Sequence, residues 1–165
     1  MSVKKRSQRW LSIFLLILFI ESTLAVEFEK KGSALMKALG TKKAGATKVK
    51  VDGENIQVFY NKETKKKFAV VGTGLYEPDC THTWVIALND KVEVTEIRVV
   101  EMKCPHAFPT KKASFLNQYK GKGIKDVGKL DSQISTVAKA TGSAVLTTKA
   151  VKKAIKAVQA AKSKI

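Results

Sequence analysis

Acid is scarce in this chain: 14 Asp and Glu stand against 31 Lys and Arg, a formal charge of +17 over 165 residues. Two cysteines and two histidines are present. They form no Cys-x-x-Cys-His run, so c-type haem attachment is not supported, and no Cys-x-x-His that a Rieske cluster needs. The sequence lacks a Ser-His-Asp set, a carboxylate pair at an interpretable spacing and a dinucleotide-binding glycine fingerprint. It also lacks an internal repeat. Its one long apolar run, Trp10 to Ile20, falls short of the ~20 residues that a spanning helix requires.

That short run has a different meaning in its context. Lys4, Lys5, Arg6 and Arg9 precede it and Thr23-Leu24-Ala25 follows, the n-region, h-region and small-residue cleavage site of a secretory signal peptide. The expectation is a signal at 1–25 and one domain at 26–165, in a periplasmic or extracellular setting. Removing residues 1–25 takes away four positive charges and Glu21, so the formal charge falls from +17 to +14. A field of that size attracts anions: phosphate-bearing cofactors, acidic proteins or anionic lipid headgroups. The lysines are spread along the chain without interleaved aromatics, which argues against nucleic acid.

Hydrophobic spacing divides the remainder. Leu35, Met36 and Leu39 in Phe28 to Leu39 predict a short helix closed by Gly40. From Ala46 to Lys67 the period changes to two, with Val49 and Val51, then Ile56, Val58 and Tyr60, around Asp52-Gly53, a hairpin. Phe68 to Val71 reads as a strand running into Gly72-Thr73-Gly74. Trp84 to Leu88 and Val92 to Met102 read as an antiparallel pair around Asn89-Asp90-Lys91. An irregular stretch with Pro105 and Pro109 follows, and Gly121, Gly123 and Gly128 mark turns. Thr148 to Lys162 is an amphipathic helix, with Val151, Ile155 and Val158 at three- and four-residue intervals. The fold class is α+β, a mostly antiparallel sheet with helices packed at its ends.

The segment Thr141 to Val151 carries small and hydroxyl residues where the chain enters that last helix. Thr147 or Thr148 as a cap, Gly142 for close approach and the helix dipole together describe a seat for a phosphate; an ordinary threonine cap is the plain alternative. Two motifs carry a family resemblance here. Phe115-Leu-Asn-Gln118-Tyr119-Lys-Gly121-Lys122 and Gly142-Ser143-Ala144-Val145-Leu146-Thr147-Thr148-Lys149-Ala150-Val151 resemble, in order and spacing, signatures of the FMN-binding domain family of exported electron-transport proteins. The resemblance covers roughly Gly72 to Val158. It implies FMN held at Gly142, Ser143, Ala144, Thr147, Thr148 and Lys149, with Gln118 and Tyr119 near the ring, and a membrane or periplasmic redox protein as partner. Where many members carry an attachment threonine this chain has Val145 or Ala144, neither with a hydroxyl. The resemblance therefore implies flavin bound without a covalent link, in a redox carrier rather than a substrate-converting enzyme.

Cys80-Thr-His82 and Cys104-Pro-His106 flank the central strand pair. In an extended chain residues i and i+2 face the same way, so each cysteine would stand beside its own histidine. Three readings are open. A disulfide Cys80–Cys104 is the one taken first for an exported domain, worth ~3 kcal/mol if unstrained. A metal site of Cys80, His82, Cys104 and His106 would suit zinc, iron or copper. A reversible dithiol would relay electrons. The functional expectations are thus an FMN-binding electron carrier, an exported metal-binding module, or a basic, disulfide-closed interaction domain without a cofactor; contact with an anionic membrane surface is a separate expectation from the charge.

Overall fold

The computed structural model describes residues 30–76 and 80–165. The expected signal at 1–25 lies outside the described residues, as do Phe28 and Glu29 at the expected start of the first helix. Met1–Ser33 and Ala34–Ile165 are separate units, and the whole sheet lies in the second.

Helix α1, residues 30–39, stops where the sequence says it should. Gly40 takes φ +62°, and Thr41 N–H reaches back to the Met36 carbonyl at 3.3 Å, the closing bond of a Schellman turn. Strands β1 (Ala44–Val51) and β2 (Glu54–Asn61) form the expected hairpin. Asp52 and Gly53 at its tip have φ +49° and +87°, the backbone of a type I′ turn. Strands β3 (Lys67–Leu75), β4 (Thr81–Asn89) and β5 (Val94–Met102) continue the meander, giving a five-stranded antiparallel sheet in the order β1-β2-β3-β4-β5.

The two sheet faces bury different helices. On β4, Trp84, Ile86 and Leu88 join the larger core, while Val85 and Ala87 join a second cluster with Leu35, Ala38 and Leu39 of α1. With both faces covered, β4 is a near-continuous apolar run instead of an alternation. The larger core is closed by helix α4, Thr141–Ala161, whose buried stripe includes Ala144, Val151, Ala154, Ile155, Ala157 and Val158.

Two boundaries differ from the sequence reading. Strand β5 begins at Val94, two residues later than expected, because Val92 sits at φ +62° with its side chain buried and its N–H bonded to the Asn89 carbonyl. Helix α4 begins at Thr141, seven residues before the expected Thr148. Thr147 and Thr148 do not cap it. Their hydroxyls donate to the Ser143 and Ala144 carbonyls, four residues back, at 2.8 and 3.0 Å, which lets hydroxyl residues lie inside a helix. Small partners seat this stretch: a Cβ on Gly72 would lie 3.2 Å from Ala150 Cβ, and one on Gly74 would lie 3.4 Å from Leu146 Cδ1.

The segment after β5 is built of short turns: 3-10 helices at Pro105–Lys111, Asn117–Tyr119 and Ile124–Asp126, with α2 (Ala113–Leu116) and α3 (Leu130–Gln133) between and after them. It covers part of the free edge of β5, where Val94 N–H donates to the Lys122 carbonyl and Gly121 N–H to the Val94 carbonyl, at 2.9 and 2.8 Å. Covering an edge removes a template for strand addition. Among the described residues no helix is long and apolar enough to cross a membrane.

Candidate functional site

Cys80 immediately precedes β4, and Cys104 follows the end of β5. Because these strands pair antiparallel with His82 opposite Met102, the two cysteines meet at one end of the sheet and are joined in a disulfide, with Cα atoms 4.6 Å apart. Of the three readings of the Cys-x-His motifs, the covalent pairing of the cysteines is the one observed.

The histidines part company. His82 is two residues along an extended chain from Cys80, as expected, and is 1 % exposed. Its Nδ1 lies 3.2 Å from the Cys80 carbonyl oxygen, and its Nε2 lies 3.0 Å from Ser143 Oγ in the first turn of α4. Its ring stacks on Trp84, centroids 5.3 Å apart. Burial lowers the His82 pKa, opposed by the hydrogen bond to the Cys80 carbonyl and reinforced by the charge of Lys111. His106, in contrast, is exposed and stands outside the cluster of Cys80, His82 and Cys104, whose donor atoms lie within 4.8 Å of one another. The i, i+2 argument fails for it because Pro105 opens a 3-10 helix, so the chain is no longer extended there. Among the described residues the structure brings together three of the four expected ligands.

The residues that the resemblance assigns to flavin are engaged with one another. Ser143 Oγ meets His82, and Thr147 Oγ1 donates to the Ser143 carbonyl. Thr148 Oγ1 donates to the Ala144 carbonyl and so accepts from Tyr119 Oη, at 2.8 Å. Burial pushes the Tyr119 pKa up to about 12, against the Thr148 hydrogen bond and with the help of Asp131. Ser143, Ala144, Thr147, Thr148 and Tyr119 are all buried. Gly142 is covered by the ring of Tyr76, which a Cβ there would meet at 2.6 Å. Gln118 clamps the backbone of Ser135, donating to its carbonyl at 3.2 Å and accepting its N–H at 2.8 Å. Lys149 alone of the set is exposed. As arranged, these groups form a packing seam between α4, β4 and the Phe115–Tyr119 turn.

Sequence reasoning missed one residue and one contact of this seam. Trp84 is fully buried, and its indole N–H has no hydrogen-bond partner among the described residues. The Ser143–His82 bond spans 61 residues, a separation that no local pattern announces. No family model, curated protein or solved structure matches the chain, so the resemblance to FMN-binding domains rests on the two motifs themselves.

Proposed function

We propose that this chain is a disulfide-closed, cofactor-free binding domain that docks on anionic lipid surfaces through the segment following β5. One observation carries the reading. Between Cys104 and Lys139 the chain has Lys111, Lys112, Lys120, Lys122, Lys125, Lys129 and Lys139 against two acids, Asp126 and Asp131. Both acids are engaged: Asp126 accepts the Gly123 N–H at 2.9 Å, and Asp131 pairs with Lys152 at 2.7 Å. None of the seven lysines has an ion-pair partner among the described residues.

The same segment exposes two large apolar side chains, Phe108 at 63 % and Ile124 at 49 %. Each is flanked by lysine: Phe108 by Lys111, whose Nζ lies 5.8 Å from the ring centroid, and Ile124 by Lys122 and Lys125. Apolar side chains that enter the headgroup boundary, bordered by lysines worth about 1 kcal/mol each near an anionic surface, make a reversible peripheral contact. The lysines of α4 serve differently. Lys152, Lys153 and Lys156 pair with Asp131, Glu54 and Asp52 and hold the helix to its neighbours.

Flavin binding would require Ser143, Thr147 and Thr148 to exchange their internal hydrogen bonds for a phosphate, and it forms no part of this reading. Co-sedimentation with vesicles tests the proposal. The chain is expected to bind vesicles containing an anionic glycerophospholipid, to ignore purely zwitterionic ones, and to dissociate as salt rises. Gln at Lys111, Lys112, Lys120 and Lys122 should abolish binding, and Phe108→Ser should weaken what survives added salt. Equal binding to both vesicle types, or an unchanged affinity in the four-lysine variant, would overturn it.

A further inference from the structure

The cluster of Cys80, His82 and Cys104 at the end of the sheet takes no part in the proposed lipid contact. We propose that reduction of the Cys80–Cys104 disulfide converts Cys80, His82 and Cys104 into a site for one Zn(II) ion, with Ser143 as the outer partner that orients the histidine.

Geometry argues for it first. A tetrahedral zinc with Zn–S of about 2.3 Å and Zn–N of about 2.0 Å sets its donors roughly 3.5 to 3.8 Å apart. One donor atom from each of the three residues already lies within 4.8 Å of the others, so the main change required is separation of the two sulfurs. Reduction supplies it. A thiol or dithiol reductant gives two electrons and two protons to the S–S bond and is itself oxidised to a disulfide; the product is one thiol on each cysteine. Zinc then displaces both thiol protons and binds two thiolates and a neutral imidazole, with water in the fourth position, as in three-ligand zinc sites.

The histidine has an outer partner for this role once its proton changes nitrogen. Nδ1 is the nitrogen on the Cys80 side, 3.2 Å from that residue's carbonyl oxygen, and Nε2 lies 3.0 Å from Ser143 Oγ. In the disulfide form the Cys80 carbonyl can only accept, so the proton sits on Nδ1 and Ser143 Oγ donates to Nε2. Zinc on Nδ1 breaks the bond to the carbonyl, the proton moves to Nε2, and Ser143 Oγ becomes its acceptor. Metal-ligating histidines normally keep such an outer acceptor, which fixes tautomer and ring orientation. Stacking on Trp84 holds the ring plane, and burial of His82 at 1 % exposure removes competition from bulk water. Soft thiolates favour zinc over the hard cations. His106, exposed and outside the cluster, is a spectator.

The test uses the full chain, reduced without oxygen by a phosphine and probed with Co(II) and Zn(II). One Co(II) per reduced chain is expected, with the visible bands of a tetrahedral ion, thiolate charge transfer and displacement by Zn(II); the oxidised chain should give none. Cys104→Ser should abolish uptake, His82→Gln should weaken Zn(II) binding by more than tenfold, and Ser143→Ala should weaken it by about tenfold. His106→Ala should leave it unchanged. Zinc should also protect both thiols of the reduced wild-type chain from alkylation, a readout that needs no variant to fold. Absence of stoichiometric uptake by the reduced chain would overturn the proposal. Loss of binding in His106→Ala with retention in His82→Gln, or equal affinity in the urea-unfolded chain, would do so as well.

Discussion

His82 trades solvent for two neutral partners, and this has a consequence for pH. Its folded pKa is lowered by burial, while in the unfolded chain it lies near the ordinary histidine value of about 6.5. The unfolded state therefore binds more protons in the window below 6.5, and stability falls as pH drops through it. Above the unfolded value the contribution is fully present. Denaturant midpoints measured from about pH 8 to about pH 5 should show this decline, and His82→Gln should flatten it; a slope unchanged in the variant would show that another group sets it. Tyr119 carries the opposite signature. Its hydroxyl donates inside the core to Thr148, and ultraviolet titration should find Tyr119 resisting ionisation until about pH 12. Tyr119→Phe removes that donor but leaves Thr148 bonded to Ala144, so the loss should be about 1 kcal/mol in urea unfolding.

At the scale of elements, α4 lies over β3 because the strand has no side chains where the helix comes closest. Gly72 would place a Cβ 3.2 Å from Ala150 and 3.4 Å from Ile86, and Gly74 one 3.1 Å from the Trp84 ring. Gly72→Val should force the helix outward and cost about 1 to 3 kcal/mol, the range for overpacked cores, while circular dichroism keeps its helical content. A cost near zero would show that α4 is seated by its C-terminal half alone. The same contact explains what could be read in advance. The β1–β2 hairpin, the Gly40 stop and the β4–β5 pairing were legible because turn chemistry and period are local, as Asp52-Gly53 and the run from Trp84 to Leu88 show. The first seven residues of α4 were not. Small and hydroxyl side chains look like a loop until Gly72 and Gly74, distant in sequence, supply the flat surface they pack on. For the same reason the cysteine pairing could be expected from composition. The Ser143–His82 bond required the tertiary fold, and the separation of His106 came from one proline turn.

For the molecule as a whole, the disulfide acts on the chain rather than on any one contact. It ties the start of β4 to the exit of β5 across 24 residues of sequence, and a closed loop of that length removes roughly 3 kcal/mol of unfolded-state freedom. The strands it joins are already paired along nearly their full length, so the native sheet should survive its loss while the unfolded ensemble expands. Paired substitution Cys80→Ser and Cys104→Ser should therefore leave the far-ultraviolet spectrum intact and lower Tm by roughly 10 °C, given the few degrees per kcal/mol usual for a unit of this size. Charge adds to the penalty. A chain at +17 repels itself, and the compact state brings its surplus lysines closer together than the unfolded one does; added sulfate should screen that repulsion and recover part of the lost Tm. Single substitutions separate the two sources of stability. Cys104→Ser leaves the buried Cys80 thiol beside His82 but opens the same loop, so its Tm should match that of the double variant within about 2 °C if loop closure dominates. A single variant far less stable than the double one would place the effect in local packing around His82 instead.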